Sequence, residues 1–461
     1  MKKSELQPTP ENIRSTFLND TIKRNQDVIS FVKIIDSINE SYSIALDSQW
    51  GSGKTFFVKQ VEMALNSLND TSYNRPDHPE EIANLCKRYF HNEHLPRPHV
   101  ALYYDAWKND LDDDPLYSLL LTITEATDNQ KALKDSITKK DIIKTLGKIA
   151  GTFGRFNPDD LAENLYKGDV LEPLRERRQL DDKISQFIDS LFPEHGERML
   201  IIIDELDRCN PQFAVRLLER IKHYFNNDKI TFVFAVNIAE LQNTIRQFYG
   251  SNFDGARYLD RFFDFRVSLP QLNDLAVREL LSFNNRGWVY EHSLHLVMKK
   301  YQMQLREISR FLDITRKLAP QYTHNTSYES DLYPAKVFII QAICPMLFGL
   351  KVMDTGRYHS FVNGRDSSPW KEFFNNKESI NTVRNYLKLI APTERQHEYT
   401  ENDKEELYEQ FDKFYQALLG GSSEIHVGEC TIGENERSFF HEIISGLSRN
   451  SRFSDDPTDT E

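Results

Sequence analysis

Only four cysteines occur in 461 residues, Cys86, Cys209, Cys344 and Cys430, and no two form a C-x-x-C pair. This excludes a zinc ribbon and a disulfide framework, and scattered single thiols fit a reducing compartment. Long apolar runs are missing too. The longest, Val337 to Leu350, contains Gln341 and Pro345 and falls short of the ~20 residues that span a bilayer; it reads as a buried helix. The stretch from Met1 to Pro8 lacks the apolar core of a secretory signal, so a cytoplasmic protein without a membrane span is expected. Positive charge is in deficit. The balance of 57 basic and 70 acidic residues, net −13, gives no bulk attraction for nucleic acid and leaves open only a local basic patch. No internal repeat is present.

Of the residues present, 39% are hydrophobic and 28% charged, ordinary for a soluble protein with a sizeable core. The length suggests about two to three domains. The most informative stretch is Trp50-Gly51-Ser52-Gly53-Lys54-Thr55, between the apolar run Tyr42 to Leu46 and the helical start Phe56-Phe57-Val58. Read as strand, glycine-rich turn and helix, it is a phosphate-binding P-loop, with residues 50 to 56 as the nucleotide-binding stretch. Glycines let the backbone approach phosphate closely. Lys54 supplies a cation for the β- and γ-phosphates, and Thr55 a hydroxyl for Mg²⁺. The first motif position holds Ser48 instead of glycine. The first bend must therefore avoid positive φ or bear strain.

Leu200 to Ile203 is a continuous apolar run, the signature of a strand buried on both faces, and it delivers Asp204 and Glu205. In this Walker B pattern Asp204 holds Mg²⁺ and Glu205 polarises water. Asp207 and Arg208 follow in the turn, either as a local ion pair or in a catalytic role. Asn237 ends another apolar run, Thr231 to Val236. It reads as a sensor of the γ-phosphate or the attacking water, with a helix cap as the alternative. A shorter strand, Phe265 to Leu269, completes an α/β pattern with a parallel sheet. Val28 to Ile38 has helical spacing, and a helix starts at Pro115. Residues 68–98 read as a polar excursion and 129–185 as a charged helical insertion. Segments 272–320, 334–393 and Lys404 to Leu419 read as helical, and Glu424 to Val427 as a strand. His78, His91, His94 and His99 gather with Cys86 in and beside the excursion, which fits an exposed loop better than a metal site.

These motifs together resemble the KAP family of P-loop ATPases, linked to the AAA+/STAND branch. The resemblance covers residues 18–320. It is carried by the P-loop stretch, by Tyr104-Asp105-Ala106-Trp107, by Ile202 to Cys209, by Arg257 to Phe263 and by Leu305 to Leu312. It implies that Lys54 and Thr55 bind phosphate and Mg²⁺, Asp204 is the Walker B acid and Glu205 the base. It also implies that Arg306 touches the γ-phosphate from a sensor-2-like position, and that Arg261 or Arg257 acts as an arginine finger on a neighbour's site. Leu18 to Arg24 matches the segment where adenine rests. Glu205 stands where the family often has aspartate, and glutamate is competent as a base.

The expected fold is α/β, a P-loop NTPase parallel sheet flanked by helices and followed by a mainly helical C-terminal region. The expected domains are a core at 1–270, a helical lid at 271–330 and a helical region with an acidic tail at 331–461. The expected function is an ATP- and Mg²⁺-dependent ATPase acting as a conformational switch, with a homo-oligomer or a protein as partner. The resemblance also implies a setting in bacterial anti-phage or mobile-element conflict. The alternatives are a nucleotide-dependent assembly module with little turnover and an ATP-driven nucleic-acid remodelling enzyme. No Asn-Lys-x-Asp motif follows the core strands, which disfavours guanine.

Overall fold

The apolar runs pair side by side. In the computed structural model, β1 (Tyr42–Asp47), β2 (His99–Asp105), β3 (Arg198–Asp204), β4 (Ile230–Val236) and β5 (Phe265–Ser268) form one sheet in the order β2-β3-β4-β1-β5. Every pairing is parallel. All of β3 and β4 is buried, as strands covered by helices on both faces must be. The structure describes residues 7–72, 74–90, 94–112, 114–128, 196–225, 227–272, 276–277, 288–323, 334–375, 377–390, 401–420 and 423–450. The expected insertion at 129–185, the acidic tail and His91 lie outside these residues. The chain divides into two compact units, Gln7–Gln271 and one that begins at Leu272.

In the first unit, α1 (Pro10–Leu18) starts where Thr9 caps the Asn12 N–H and Pro10 takes the first turn. Helix α2 (Asn25–Ser37) buries Val28, Ile29, Phe31, Val32 and Ile35. Helix α3 (Lys54–Leu68) leaves the P-loop. The stretch read as an open excursion contains α4 (Pro79–Tyr89), which packs on α3 and buries Ile82, Ala83 and Cys86. Pro79 at its first turn, acids at its start and Lys87 and Arg88 at its end stabilise it locally. Helix α5 (Pro115–Asp128) follows β2. After β3 come α6 (Pro211–Tyr224), capped by Asn210, then α7 (Ile238–Tyr249) and the short α8 (Gly255–Leu259).

The second unit is mainly helical: α9 (Trp288–Lys300), α10 (Leu305–Thr323), α11 (Pro334–Phe338), α12 (Cys344–Met353), α13 (Thr355–Val362), α14 (Ser368–Phe373), α15 (Lys377–Ile390), α16 (Glu401–Leu419) and α17 (Glu434–Asn450). A hairpin of β6 (Ile425–Val427) and β7 (Cys430–Ile432) interrupts them. A π-turn, Ile339–Ile343, joins α11 to α12 just before Pro345, which has no N–H to donate. The resulting helix, Ala335–Met353, is long and apolar enough to cross a bilayer, yet 67% of its apolar window is buried within the protein. Phe338, Phe361, Trp370, Phe411 and Phe414 pack as an aromatic cluster of this unit. All four cysteines are buried and free. Burial pushes their thiols up, those of Cys86 and Cys430 to about 12.

Candidate nucleotide site

Strand β4 lies between β1 and β3, so the P-loop, Asn237 and the Asp204–Glu205 pair all emerge at one carboxyl edge. Ligands of open parallel sheets bind outside that edge. Gly51 (φ 84°) and Gly53 (φ 92°) take the left-handed conformation, and Ser48 is not among the residues that do. The first bend thus tolerates a side chain, and Ser48 N–H donates to the Val236 carbonyl (3.2 Å). Phe57 N–H donates to the Gly53 carbonyl (2.9 Å), entering α3 from this turn. The N–H groups of Lys54, Thr55 and Phe56 stand ahead of it, as the donors of a helix N-terminus do. Phe56 buries its ring, 3% exposed, and offers only its backbone. Ser52 Oγ is buried without a hydrogen-bond partner.

Lys54 is buried, and its Nζ donates to the carbonyls of Ser48 (2.5 Å) and Gln49 (3.2 Å). Burial lowers its pKa, while Asp207, Asp204, Glu205 and Asp47 oppose the shift. Asp204 is held from several sides. Tyr103 Oη donates to its Oδ2 (2.9 Å) and Glu205 N–H to its Oδ1 (2.9 Å), and Thr55 favours its charged form. Burial raises its pKa against these partners and Lys54. Burial and then Asp204 push Glu205 up to about 7, with Arg208 opposing. Glu205 has φ 61°, uncommon for a residue with a Cβ.

Asp207 and Arg208 do not form the local ion pair considered above. Trp50 Nε1 donates to Asp207 Oδ2 (2.5 Å). Arg208 Nε pairs with Glu205 Oε2, and its guanidinium lies 5.6 Å from the ring centroids of both Trp50 and Trp107. The three motif segments therefore meet in one cluster at the site. Asn237 is half-buried and caps α7, its Oδ1 accepting from Glu240 N–H (3.4 Å). Arg24, which ends the Leu18 to Arg24 segment, donates to the carbonyls of Ser52 (3.0 Å) and Pro270 (2.6 Å). Its burial lowers it to about 10, with Asp27 opposing.

Arg261 and Arg257 are exposed. The local pairs that would have occupied Arg261 are taken: Asp260 bonds Arg266 (2.5 Å), and Asp264 Oδ2 accepts from Ser43 N–H (2.9 Å). Arg306 is an exposed residue of the first turn of α10, in the second unit. His99 opens β2, beside the excursion and not within it. It is buried in β2, with Nδ1 2.7 Å from the Arg97 carbonyl. No group of metal-type ligands is found among the described residues. Sequence reasoning missed the contacts of Tyr103, Arg24 and Trp107, although the Leu18 to Arg24 segment and the Tyr104 to Trp107 motif pointed near them.

Residues 24–320 match the KAP family P-loop domain. An uncharacterised protein of Methanocaldococcus jannaschii is 25% identical over 185 residues, covering 30% of this chain and 95% of that one. The structure of the Aeropyrum pernix ORC1 protein in complex with DNA aligns over 94% of this chain and 92% of that one, at 13% identity and a TM-score of 0.31, too low to bear on function.

Proposed function

Because the chain belongs to the KAP family of P-loop domains, we propose that it binds ATP with Mg²⁺, hydrolyses it and uses turnover as a conformational switch. One observation carries this reading: the buried Asp204 carboxylate stands at the same carboxyl edge as the P-loop, with Lys54 and Glu205 in electrostatic reach and Thr55 favouring its charged form. The donors are hard oxygens, a hydroxyl and a carboxylate, and they suit Mg²⁺. When bound, Mg²⁺ neutralises charge on the β- and γ-phosphates. The P-loop N–H groups and Lys54 bind and orient the phosphates, and Ser52 Oγ is a further donor at hand. Glu205 takes the proton of the attacking water, and Asn237 orients that water. By the family resemblance Arg306 has a sensor-2-like role toward the γ-phosphate, and Arg261 is offered to the site of a neighbouring copy. A cytoplasmic switch in anti-phage or mobile-element conflict follows from the family resemblance. The test is phosphate release from ATP over many cycles, with and without Mg²⁺. Stoichiometric retention of nucleotide would instead favour the assembly module, and stimulation by DNA or RNA the remodelling enzyme.

A further inference from the structure

Arg208 touches three separate segments of the site: Glu205 on its own turn, Trp50 in the P-loop and Trp107 in the turn after β2. The two indoles are 44% and 53% exposed, and large aromatic rings at a site's mouth are held by specific contacts when they are ordered there. Here Trp50 is fixed by its bond to Asp207, and both rings face the guanidinium, whose flat cation stacks on indole better than an ammonium does. The backbone of Glu205 is pinned independently. Its N–H donates to Asp204, and its carbonyl accepts from Arg208 N–H (3.1 Å) and Cys209 Sγ (3.5 Å). This leaves the long Glu205 side chain to be aimed, and Arg208 Nε is the group that meets its carboxylate.

We propose that Arg208 is a positioning residue for Glu205, and that Trp50 and Trp107 hold Arg208 in place. The aim of the base then depends on the P-loop itself, because a shift of Trp50 moves the guanidinium and with it the Glu205 carboxylate. This deepens the reading of Glu205 as the base and rests on it. Misplacing a reacting group by an ångström can cost about 100-fold in rate, so the effect should appear in turnover and not in binding.

The experiment uses the full chain with Mg·ATP. Arg208→Met should bind Mg·ATP within about threefold of wild type while kcat falls ~10- to 100-fold. Arg208→Lys should recover only part, since a point charge lacks the planar face. Trp107→Ala removes an exposed ring and should lower kcat several-fold without loss of affinity. Because Arg208 acts through Glu205, Arg208→Met should add nothing further in a Glu205→Gln background. Fully multiplicative losses in the double variant, or an affinity loss as large as the kcat loss, would overturn the proposal. A second readout needs no turnover. In ¹⁵N-Trp-labelled full chain, Arg208→Lys should shift the indole resonances of Trp50 and Trp107 and leave Trp370 in place; unmoved Trp50 and Trp107 would also overturn it. If the wild type binds Mg·ATP but never turns it over, the proposed hydrolysis fails, and the indole resonances alone decide whether Arg208 is held.

Discussion

Burial works against the Lys54 ammonium, and the carboxylates of Asp207, Asp204, Glu205 and Asp47 work for it. On the proposed reading this cation meets the nucleotide's phosphates. Lys54→Ala should therefore weaken Mg·ATP binding by roughly 1.5–3 kcal/mol, or about 10- to 150-fold in Kd. Calorimetry that finds an unchanged Kd in a folded variant removes the site assignment. Glu205→Gln should keep Kd and lower kcat by about 100-fold, the scale of a lost general base. Near-wild-type turnover would move that role elsewhere, with Asp207 the nearest candidate. Tyr103→Phe deletes only the hydroxyl that donates to Asp204, worth about 0.5–1.5 kcal/mol. It should raise the Mg²⁺ concentration for half-maximal turnover several-fold; an unaltered Mg²⁺ titration would make Tyr103 an ordinary strand residue. That Lys54, Thr55, Asp204 and Glu205 come to one carboxyl edge was legible because they belong to two motifs at the ends of apolar strands. Tyr103 was not, because a tyrosine in an apolar strand carries no mark of the carboxylate it will meet. Trp50 and Asp207 were each visible as motif residues, but they lie 157 positions apart, and only folding pairs them.

Among the elements, β3 and β4 were the easiest to read, since an unbroken apolar run buried on both faces has few other uses. Helix α4 was obscured by the prolines and polar residues around it, and its buried face is one short stripe, Ile82, Ala83 and Cys86. Helix α1 went unread, although Thr9, Pro10 and Glu11 carry a helix-start signal that apolar spacing alone passes over. Strand order was not legible at all. Parallel pairing is set by non-local contacts, so nothing in the Thr231 to Val236 run shows that it separates β1 from β3. Arg24 is the joint between elements here, tying the P-loop carbonyl of Ser52 to Pro270 just after β5. Arg24→Ala takes this donor from the carbonyl of the buried Ser52, at about 1–3 kcal/mol. The Tm of the variant should fall by about 2–4 °C for each kcal/mol lost in a unit of this size, and an unshifted Tm would show that water replaces the arginine at no cost.

At the scale of the whole molecule, Arg261 is exposed and its nearby acids are engaged elsewhere, which leaves it available to a second copy. A finger supplied in trans raises turnover by ~10³–10⁵, through a head-to-tail contact that makes rings or open stacks. Specific activity should then rise with protein concentration. Mixing Arg261→Ala with Lys54→Ala protein should restore activity, one copy lending the arginine and the other an intact P-loop. A mixture that stays inactive while both proteins are folded, or activity per molecule that is flat on dilution, rejects it. The buried cysteines serve as clocks in such work. Cys86 and Cys209 lie in the first unit, and Cys344 and Cys430 in the second. Thiols this deep and this weakly acidic are shielded from alkylation while folded, so each labelling rate times the opening of its own unit. Saturating Mg·ATP should slow Cys86 and Cys209 by the factor that ligand binding adds to the closed state, about 100-fold at one hundred times Kd. If Cys344 and Cys430 slow in step, the nucleotide stabilises both units as one cooperative body; if they keep their rate, the protein breathes in two independent halves.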